Sequence, residues 1–311
     1  MLKRLAQSIA DTAQLSIARY VSESAVIPIA RSLIAVAQIS LIVFTPYDAR
    51  YPEIWQQGIG PNCEGIRQAS MYCLAGDTPG HLIDGVIVTL LIVIIIGPLP
   101  RYISLLHYWV TISISWSIGL PDGGESIAQA AVFFLIFVSL ADTRRWQWSK
   151  PTKVRSSLTP IAWAGTIALR LQMAWVYLNA SIAKTSVPEW VEGSAVYYVS
   201  RDPYFGVAGP LEPFLLGLLE IPVFALIASW GAIIIEFVIA ICLLWSIKTG
   251  KIAFIGSLFL HIAFIVVIGL WSFAIIMIAS VLAASSQSWL QPKAPKKSTL
   301  HNLSSGVLAP L

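Results

Sequence analysis

Long apolar stretches, separated by short polar segments, run through most of the chain. A helix needs about 20 mostly apolar residues to cross a bilayer, and seven stretches approach or exceed this length. They are residues 26–45, 83–99, 103–120, 126–141, 158–184, 214–247 and 251–284. The pattern therefore predicts an all-α, polytopic transmembrane helical bundle of about seven spans, within a range of six to eight.

The last two stretches are too long for one perpendicular helix each. Residues 214–247 contain Pro222, which is expected to separate a short amphipathic piece from a proper span. Residues 251–284 stay apolar throughout, so this stretch is expected to tilt or to break at Gly269. These two stretches account for the range in the predicted number of spans.

The first 24 residues differ from both a span and a signal peptide. They alternate polar and apolar residues and lack a long apolar core with a small-residue cleavage site. One helical face collects Leu2, Leu5, Ile9, Ala13, Ser16 and Tyr20. This pattern predicts an amphipathic helix on the cytoplasmic membrane surface, with a frayed chain start as the alternative. The predicted organisation is a surface helix over 1–24, a transmembrane domain over 26–284 and a disordered basic tail over 285–311.

Composition agrees with a membrane protein. Of the 311 residues, 57% are hydrophobic and only 12% are charged, and the mean hydropathy is +0.75. A typical soluble domain has about 25% charged residues, so a soluble enzyme, a disordered chain and a disulfide-framework miniprotein are excluded. The net charge of +4 is attributed to basic loops retained in the cytoplasm rather than to a nucleic-acid partner.

The basic residues orient the chain in the cell membrane. Three regions that fall on one side in a seven-span arrangement are rich in Lys and Arg. Their basic residues are Lys3, Arg4, Arg19, Arg144, Arg145, Lys150, Lys153, Arg155, Lys248 and Lys251. This side, with the N-terminus, is predicted to be cytoplasmic. Seven spans would place the C-terminus outside, which is our expectation, although the tail lysines 293, 296 and 297 favour an eighth span.

Three cysteines carry two different interpretations. Cys242 lies within a span and is expected to be a small core residue. Cys63 and Cys73 lie ten residues apart in the first external loop, where a disulfide is plausible. A redox pair that exchanges with a substrate thiol is the alternative, and the spacing is not the Cys-x-x-Cys of such pairs.

Several polar residues fall inside predicted spans, where a charge costs at least about 2.5–3.5 kcal/mol. Arg170, Tyr177 and Lys184 are spaced by seven, which returns to within about 20° on a helix and forms one polar stripe. Other spans contribute polar residues as well. These are Arg31, His107, Glu236 and His261.

Each of these residues has a structural explanation. Arg170 could pair with Glu236, Lys184 could extend from the helix end to the external interface, and each histidine could be a core hydrogen-bonder. As a set they predict a polar pocket, in which a buried Lys beside other cations releases its proton easily and can act as a base. No phosphate loop, nucleophile elbow or paired metal ligands occur in the sequence. A metal enzyme, an NTPase and a serine hydrolase are therefore not supported.

The segment from Tyr177 to Gly193 resembles a known signature. Tyr177, Ala180 and Lys184 are followed by Trp190-Val-Glu192-Gly193, similar to the vitamin K-dependent gamma-carboxylase superfamily, whose membrane domains are called HTTM. The order of His107 and of His261 with Phe273 agrees with that superfamily, and the resemblance covers roughly residues 26–284. Within it, the chain length and the loop with Cys63 and Cys73 resemble the sporulation-delaying protein B (SdpB) family.

The resemblance implies specific roles. It makes Lys184 the base that deprotonates a reduced quinone or vitamin K-like cofactor, with His107 close to it and Tyr177 also catalytic. The predicted pocket also includes the polar span residues Arg170, Glu236 and His261 and the motif residues Trp190, Glu192 and Gly193. Independently of the resemblance, His107 precedes Gly119 by twelve residues, about 18 Å along a helix. Closeness to Lys184 would therefore require a tilted or broken third span.

Three functions remain open at this point. The resemblance to the SdpB family implies a multi-pass membrane protein for the maturation of a secreted antimicrobial peptide, acting on an exported peptide with a small SdpA-like partner protein. The second is a quinol-dependent carboxylase or oxidoreductase. The third is a transporter or immunity protein without chemistry, against which the absence of an inverted repeat of broken helices argues.

Overall fold

The structure is a computed structural model that describes residues 2–51, 60–61, 63–76, 78–118, 123–152, 156–203, 206–207 and 209–290. Helices dominate this part of the chain. Within it, strand-type pairing is limited to one isolated bridge between Pro98 and Trp146. The predicted all-α class is confirmed.

The helices follow the predicted stretches closely. In chain order they are α1 (Leu2–Arg19), α2 (Val26–Phe44), α3 (Tyr47–Arg50), α4 (Met71–Leu74), α5 (Gly80–Ile96), α6 (Pro100–Ser117), α7 (Gly123–Ser139), α8 (Thr159–Lys184), α9 (Pro188–Val191), α10 (Ala195–Val199), α11 (Glu212–Leu219), α12 (Pro222–Trp245), α13 (Gly250–Ile268) and α14 (Trp271–Ala284). Short 3-10 helices cover Gly65–Ala69 and Ser286–Ser288.

Membrane character is concentrated in a subset of these helices. Helices α2, α12 and α13 are long and apolar enough to cross a membrane, and α5, α7 and α14 are shorter apolar helices. Helices α6 and α8 match them in length but carry more polar residues. The 26 residues of α8 extend about 39 Å, so α8 is long enough to carry polar groups at several depths.

The two predicted breaks, at Pro222 and Gly269, each divide a long apolar stretch into two helices. Pro222 stands in the first turn of α12 and separates it from the short α11, as proline at a helix start commonly does. Gly269 has φ +66° and ends α13, after which α14 begins at Trp271. The last apolar stretch is therefore two helices and not one tilted helix.

Helices α13 and α14 form an antiparallel hairpin that brings the chain back. A Cβ added to Gly250, at the start of α13, would lie 3.1 Å from the Cβ of Ser285, just after α14. The Gln287 side chain exchanges two 3.1 Å hydrogen bonds with the backbone of Val21. The segment after α14 therefore lies at the same end of the bundle as the start of α2, whereas a seven-span arrangement would place it at the opposite end. The tail from residue 291, with its lysines, lies outside the described residues.

The end of the bundle that contains Val21, Gln147 and Lys248 is called the basic end below. Its loop 140–152 is ordered by buried polar contacts. Arg144 forms an ion pair with Asp142 at 2.6 Å and donates to the Ser24 carbonyl oxygen at 3.2 Å. Arg144, which we counted as a marker of sidedness, is therefore also a structural residue. Lys153 and Arg155 of the same basic set lie outside the described residues.

Helix α8 lies in the centre of the bundle, against α7, α12 and α14. Close approach to α7 depends on Gly165, where a Cβ would lie 2.7 Å from the Phe137 Cβ. Small residues at such contacts let helix backbones approach closely in membrane proteins. Most positions of α1 between Gln7 and Leu15 are exposed, and the side chains of Leu2, Leu5 and Ile9 lie outside the description.

Candidate functional site

Lys184 and Glu236 form a buried ion pair. The Lys184 Nζ donates to both carboxylate oxygens of Glu236, at 2.7 and 2.8 Å. The side chains are 18% and 6% exposed. Since an isolated charge is costly where water is largely excluded, each group supplies the counter-charge that the other needs.

The geometry shows that the Lys184 side chain extends inward. Ser181 donates to the Ile233 carbonyl oxygen of α12, so the antiparallel partner of Lys184 lies near residue 230. Glu236 is about two helical turns deeper in the bundle, roughly 9 Å at 1.5 Å per residue. Lys184 therefore points away from its helix end, unlike the extension to the external interface that we considered.

Tyr177 and His261 form a second pair beside the first. The Tyr177 hydroxyl lies 2.8 Å from His261 Nε2 and 2.8 Å from Ser257 Oγ. Tyr177 and Lys184 are seven residues apart on one face of α8, and Lys184 extends inward, so the two pairs lie on the same side of this helix. We call Lys184, Glu236, Tyr177, His261 and Ser257 the polar group; it joins α8, α12 and α13.

Aromatic rings border the polar group. The rings of Phe264 and Phe273 lie 5.3 and 5.4 Å from the His261 ring. The Lys184 Nζ lies 5.2 Å from the centre of the Trp190 ring, within the range of a cation–π contact. Nδ1 of His261 is buried without a hydrogen-bond partner among the described residues, so one polar atom of the site is free to bind a ligand.

The segment after α8 is fastened to the first turns of α12. Ser229 donates to the Gly193 carbonyl oxygen at 3.1 Å, and Trp230 donates to that of Val191 at 3.1 Å. Gly193 has φ +81°, and an added Cβ would lie 2.3 Å from Leu226 Cδ1. Only glycine adopts this backbone without strain at such a close contact. Glu192 is exposed beside it, so Gly193 positions the loop and Glu192 faces outward.

Arg170 lies apart from the polar group. It donates to the carbonyl oxygens of Cys242, Leu243 and Ser246, the unsatisfied acceptors that every helix leaves at its C-terminus. The predicted polar stripe does face α12 and α13 along its length. However, the partner of Glu236 is Lys184, so the Arg170–Glu236 pair that we considered does not form.

His107 belongs to a different group. Its Nε2 lies 3.1 Å from Gln38 Oε1, and Gln38 donates to Thr111 at 3.0 Å. His107 stands ten residues before the end of α6, about 15 Å along the helix. Its hydrogen bonds go to α2, and within the described chain it is not joined to Lys184. The hydrogen bonds of the two residues thus go to different partners, Gln38 for His107 and Glu236 for Lys184.

The connection between α2 and α5 contains a disulfide between Cys63 and Cys73, whose Cα atoms are 5.5 Å apart. Next to Cys73, Tyr72 donates to the Asp84 carboxylate, which also pairs with Arg50 at 2.5 Å. Burial raises the pKa of Tyr72, as does its hydrogen bond to Asp84, so its hydroxyl stays protonated as a donor. The loop is thereby anchored to the start of α5.

Sequence reasoning missed Ser257 and Gln38. Ser257 precedes His261 by four residues and therefore shares its helix face, a signal that was available. Gln38 is a polar residue inside the predicted span 26–45, the kind of signal that singled out Arg31. Among the described residues, no three His, Cys, Asp or Glu side chains converge to hold a metal ion.

Comparison with known proteins adds the family. The model of the HTTM domain matches residues 131–289, just over half of the chain, and this region contains the whole polar group but not His107. The chain belongs to the HTTM family. Its fold is accordingly the all-α membrane bundle of that family, and no solved structure matches it.

Two relatives from Bacillus subtilis (strain 168) extend the similarity. This HTTM protein is 32% identical to the uncharacterized protein YitO over 256 residues, covering 80% of this chain and 81% of YitO. It is 29% identical to sporulation-delaying protein SdpB over 257 residues, covering 81% of this chain and 78% of SdpB. The similarity therefore includes the region before residue 131.

Proposed function

We propose that this protein serves in the production of an exported antimicrobial peptide and that the polar group is its working site. The similarity to sporulation-delaying protein SdpB along most of both chains supports the first part. The buried Lys184–Glu236 pair beside Tyr177 and His261 supports the second. Ionisable residues at such depth commonly mark a functional site.

In this proposal the chain is multi-pass, with eight crossings and a cytoplasmic N-terminus. The antiparallel α13–α14 hairpin supports the even number. Basic residues at the basic end support the orientation, because Lys and Arg are retained on the cytoplasmic side. The polar group then lies towards the external side. An exported peptide, with a small SdpA-like partner protein, would meet it there.

The ion pair limits how Lys184 can act as a base. An ammonium held by both oxygens of Glu236 has no lone pair to accept a proton. If the proton of Lys184 moves to Glu236, both groups become neutral and the Lys184 amine gains a lone pair. Such a neutral pair costs less to bury than an isolated charge. We therefore assign Glu236 as the proton acceptor that lets Lys184 work, with His261 Nδ1 as the atom that contacts a bound substrate and Tyr177 as the residue that holds the His261 ring.

Replacement of Lys184 tests the proposal. In a host lacking the chromosomal gene, Lys184→Ala is expected to lower the growth-inhibiting activity of the culture supernatant by about 100-fold, the scale of a lost acid–base group. Lys251→Ala, at the opposite end of the bundle, is the matched control. Immunoblots of membranes confirm equal amounts of both variants.

Retention of peptide production by Lys184→Ala would refute the assigned site. If cells that express this variant also survive added supernatant as well as the wild type does, an immunity or transport role without chemistry replaces the proposal.

A second candidate function, a quinol-dependent carboxylase or oxidoreductase, is favoured by one feature. The free Nδ1 of His261 beside Phe264 and Phe273 offers a hydrogen-bond partner and apolar surface, the two features that a quinone-type ring requires. His261 and Tyr177 would hold such a ring, and the ring when bound would supply the redox chemistry.

Mass spectrometry of an organic extract of purified protein should then detect a quinone, and a His261→Leu variant should lack it. An extract without any quinone contradicts this function.

A further inference from the structure

A cavity of about 370 Å³ lies at the basic end, and its described lining includes no member of the polar group. Its lining comes from the end of α1, the first half of α8, the α12–α13 turn and the segment after α14. The cavity includes Arg170, which precedes Tyr177, the nearest member of the polar group on α8, by seven residues, or about 10 Å along the helix. It is a separate site from the one described above.

The cavity wall combines positive charge with apolar surface. Arg19, Lys248 and Arg170 contribute the charges, and none of the described lining residues is acidic. Trp163 and Ile167 belong to the apolar part. A water-soluble anion would use only the charges, whereas an amphiphile uses both parts of the wall.

Arg170 retains a free donor at this cavity. Its Nε and Nη2 donate to carbonyl oxygens of the α12 C-terminus, while Nη1 has no partner among the described residues. The guanidinium is therefore fixed in place by α12 and still presents one nitrogen to a ligand. Arg19 and Lys248 are exposed, so they can adapt at the cavity rim.

We propose that this cavity binds an anionic phospholipid, with its phosphate among Arg19, Lys248 and Arg170 and an acyl chain along Ile167 and Trp163. Basic pockets between helix ends are suited to anionic headgroups, and each basic residue near the surface contributes about 1 kcal/mol. Helix α1 supplies one wall, so the lipid also links this amphipathic helix to α8. The site is independent of the peptide and quinone proposals.

Native mass spectrometry of the detergent-purified protein tests the site with phosphatidylglycerol and phosphatidylcholine as probes. Phosphatidylglycerol is expected to bind tightly in a one-to-one complex, and phosphatidylcholine weakly. Arg19→Gln and Lys248→Gln should each weaken phosphatidylglycerol binding about fivefold. Lys251→Gln is the matched control, because Lys251 is exposed on the same turn but lies over the Trp289 ring at 5.2 Å instead of lining the cavity.

A second variant separates a lipid from a free anion. Ile167→Phe keeps every charge and fills the apolar part, so it should lose phosphatidylglycerol. Equal binding of the two lipids would overturn the proposal, as would a loss of phosphatidylglycerol binding in Lys251→Gln as large as that in Arg19→Gln and Lys248→Gln. It would also be overturned if inorganic phosphate displaced phosphatidylglycerol fully and Ile167→Phe bound phosphatidylglycerol as well as the unaltered protein does.

Discussion

The contact between Lys184 and Glu236 follows from the direction in which helical side chains point. In a helix, each Cα–Cβ bond tilts towards the N-terminus. Helices α8 and α12 are antiparallel, so Lys184 tilts into the bundle while Glu236 tilts towards the end where Lys184 lies. The two side chains can therefore bridge about two turns of offset and meet at 2.7 Å.

A double-mutant cycle should separate the structural from the functional contribution of this pair. Glu236→Leu leaves a buried ammonium without a partner, which is expected to cost about 3 kcal/mol. Lys184→Met with Glu236→Leu removes both charges and should recover most of this loss. Thermal unfolding in detergent measures the stabilities, with Lys251→Met as a control of unchanged stability.

Peptide production by the double variant completes the cycle. We expect none, because the charges are needed for chemistry and not only for folding. A stable double variant that still supports production would mean that the pair only joins α8 to α12.

At the residue scale, the sequence predicted which side chains share a helix face but not their partners. The stripe of Arg170, Tyr177 and Lys184 was predictable because helical periodicity fixes directions within one helix. Whether Glu236 meets Arg170 or Lys184 depends on how far α12 is shifted along α8. That shift is set by the packing of both helices, which leaves no periodic signal in the sequence.

At the element scale, most helices were predictable from hydropathy, and their ends were set by Pro and Gly. Pro222 gave a definite signal, because proline lacks the backbone donor that a helix interior needs. Gly269 did not, because glycine is tolerated within membrane helices and the residues around it stay apolar. The hairpin of α13 and α14 was therefore one of two options in the sequence, and it decides on which side the described chain ends.

At the scale of the whole molecule, Glu23 connects the start of the transmembrane bundle to the loop between α7 and α8. It accepts hydrogen bonds from Thr143 and Thr152. Burial alone would raise the pKa of Glu23, but these hydrogen bonds outweigh it and lower the pKa below its usual value. The carboxylate therefore stabilises the fold when it is ionised.

This shift predicts a pH-dependent stability. Because the pKa is lower in the folded state, the contribution of Glu23 is complete at neutral pH and is lost as the pH falls below about 4.5 through the folded-state pKa. Glu23→Gln should lower the stability by about 1–3 kcal/mol at pH 7, with a smaller difference at acid pH. Thermal unfolding at neutral pH and at acid pH measures the difference in stability between Glu23→Gln and the unaltered protein. Glu220→Gln, at an exposed glutamate, is the control. A difference that grows at acid pH would contradict the assignment.

Two hydrogen bonds between the Gln287 side chain and the Val21 backbone join the segment after α14 to the segment before α2 at the basic end. The start of α2 and the segment after α14 are thus at one end of the bundle, and the opposite end carries the connections from α2 to α5 and from α8 to α12. These are the disulfide-closed segment 45–79 and the segment 185–221. A molecule that approaches from that end can be recognised through these connections, so selectivity for such a partner can change by exchanging loops while the bundle stays the same.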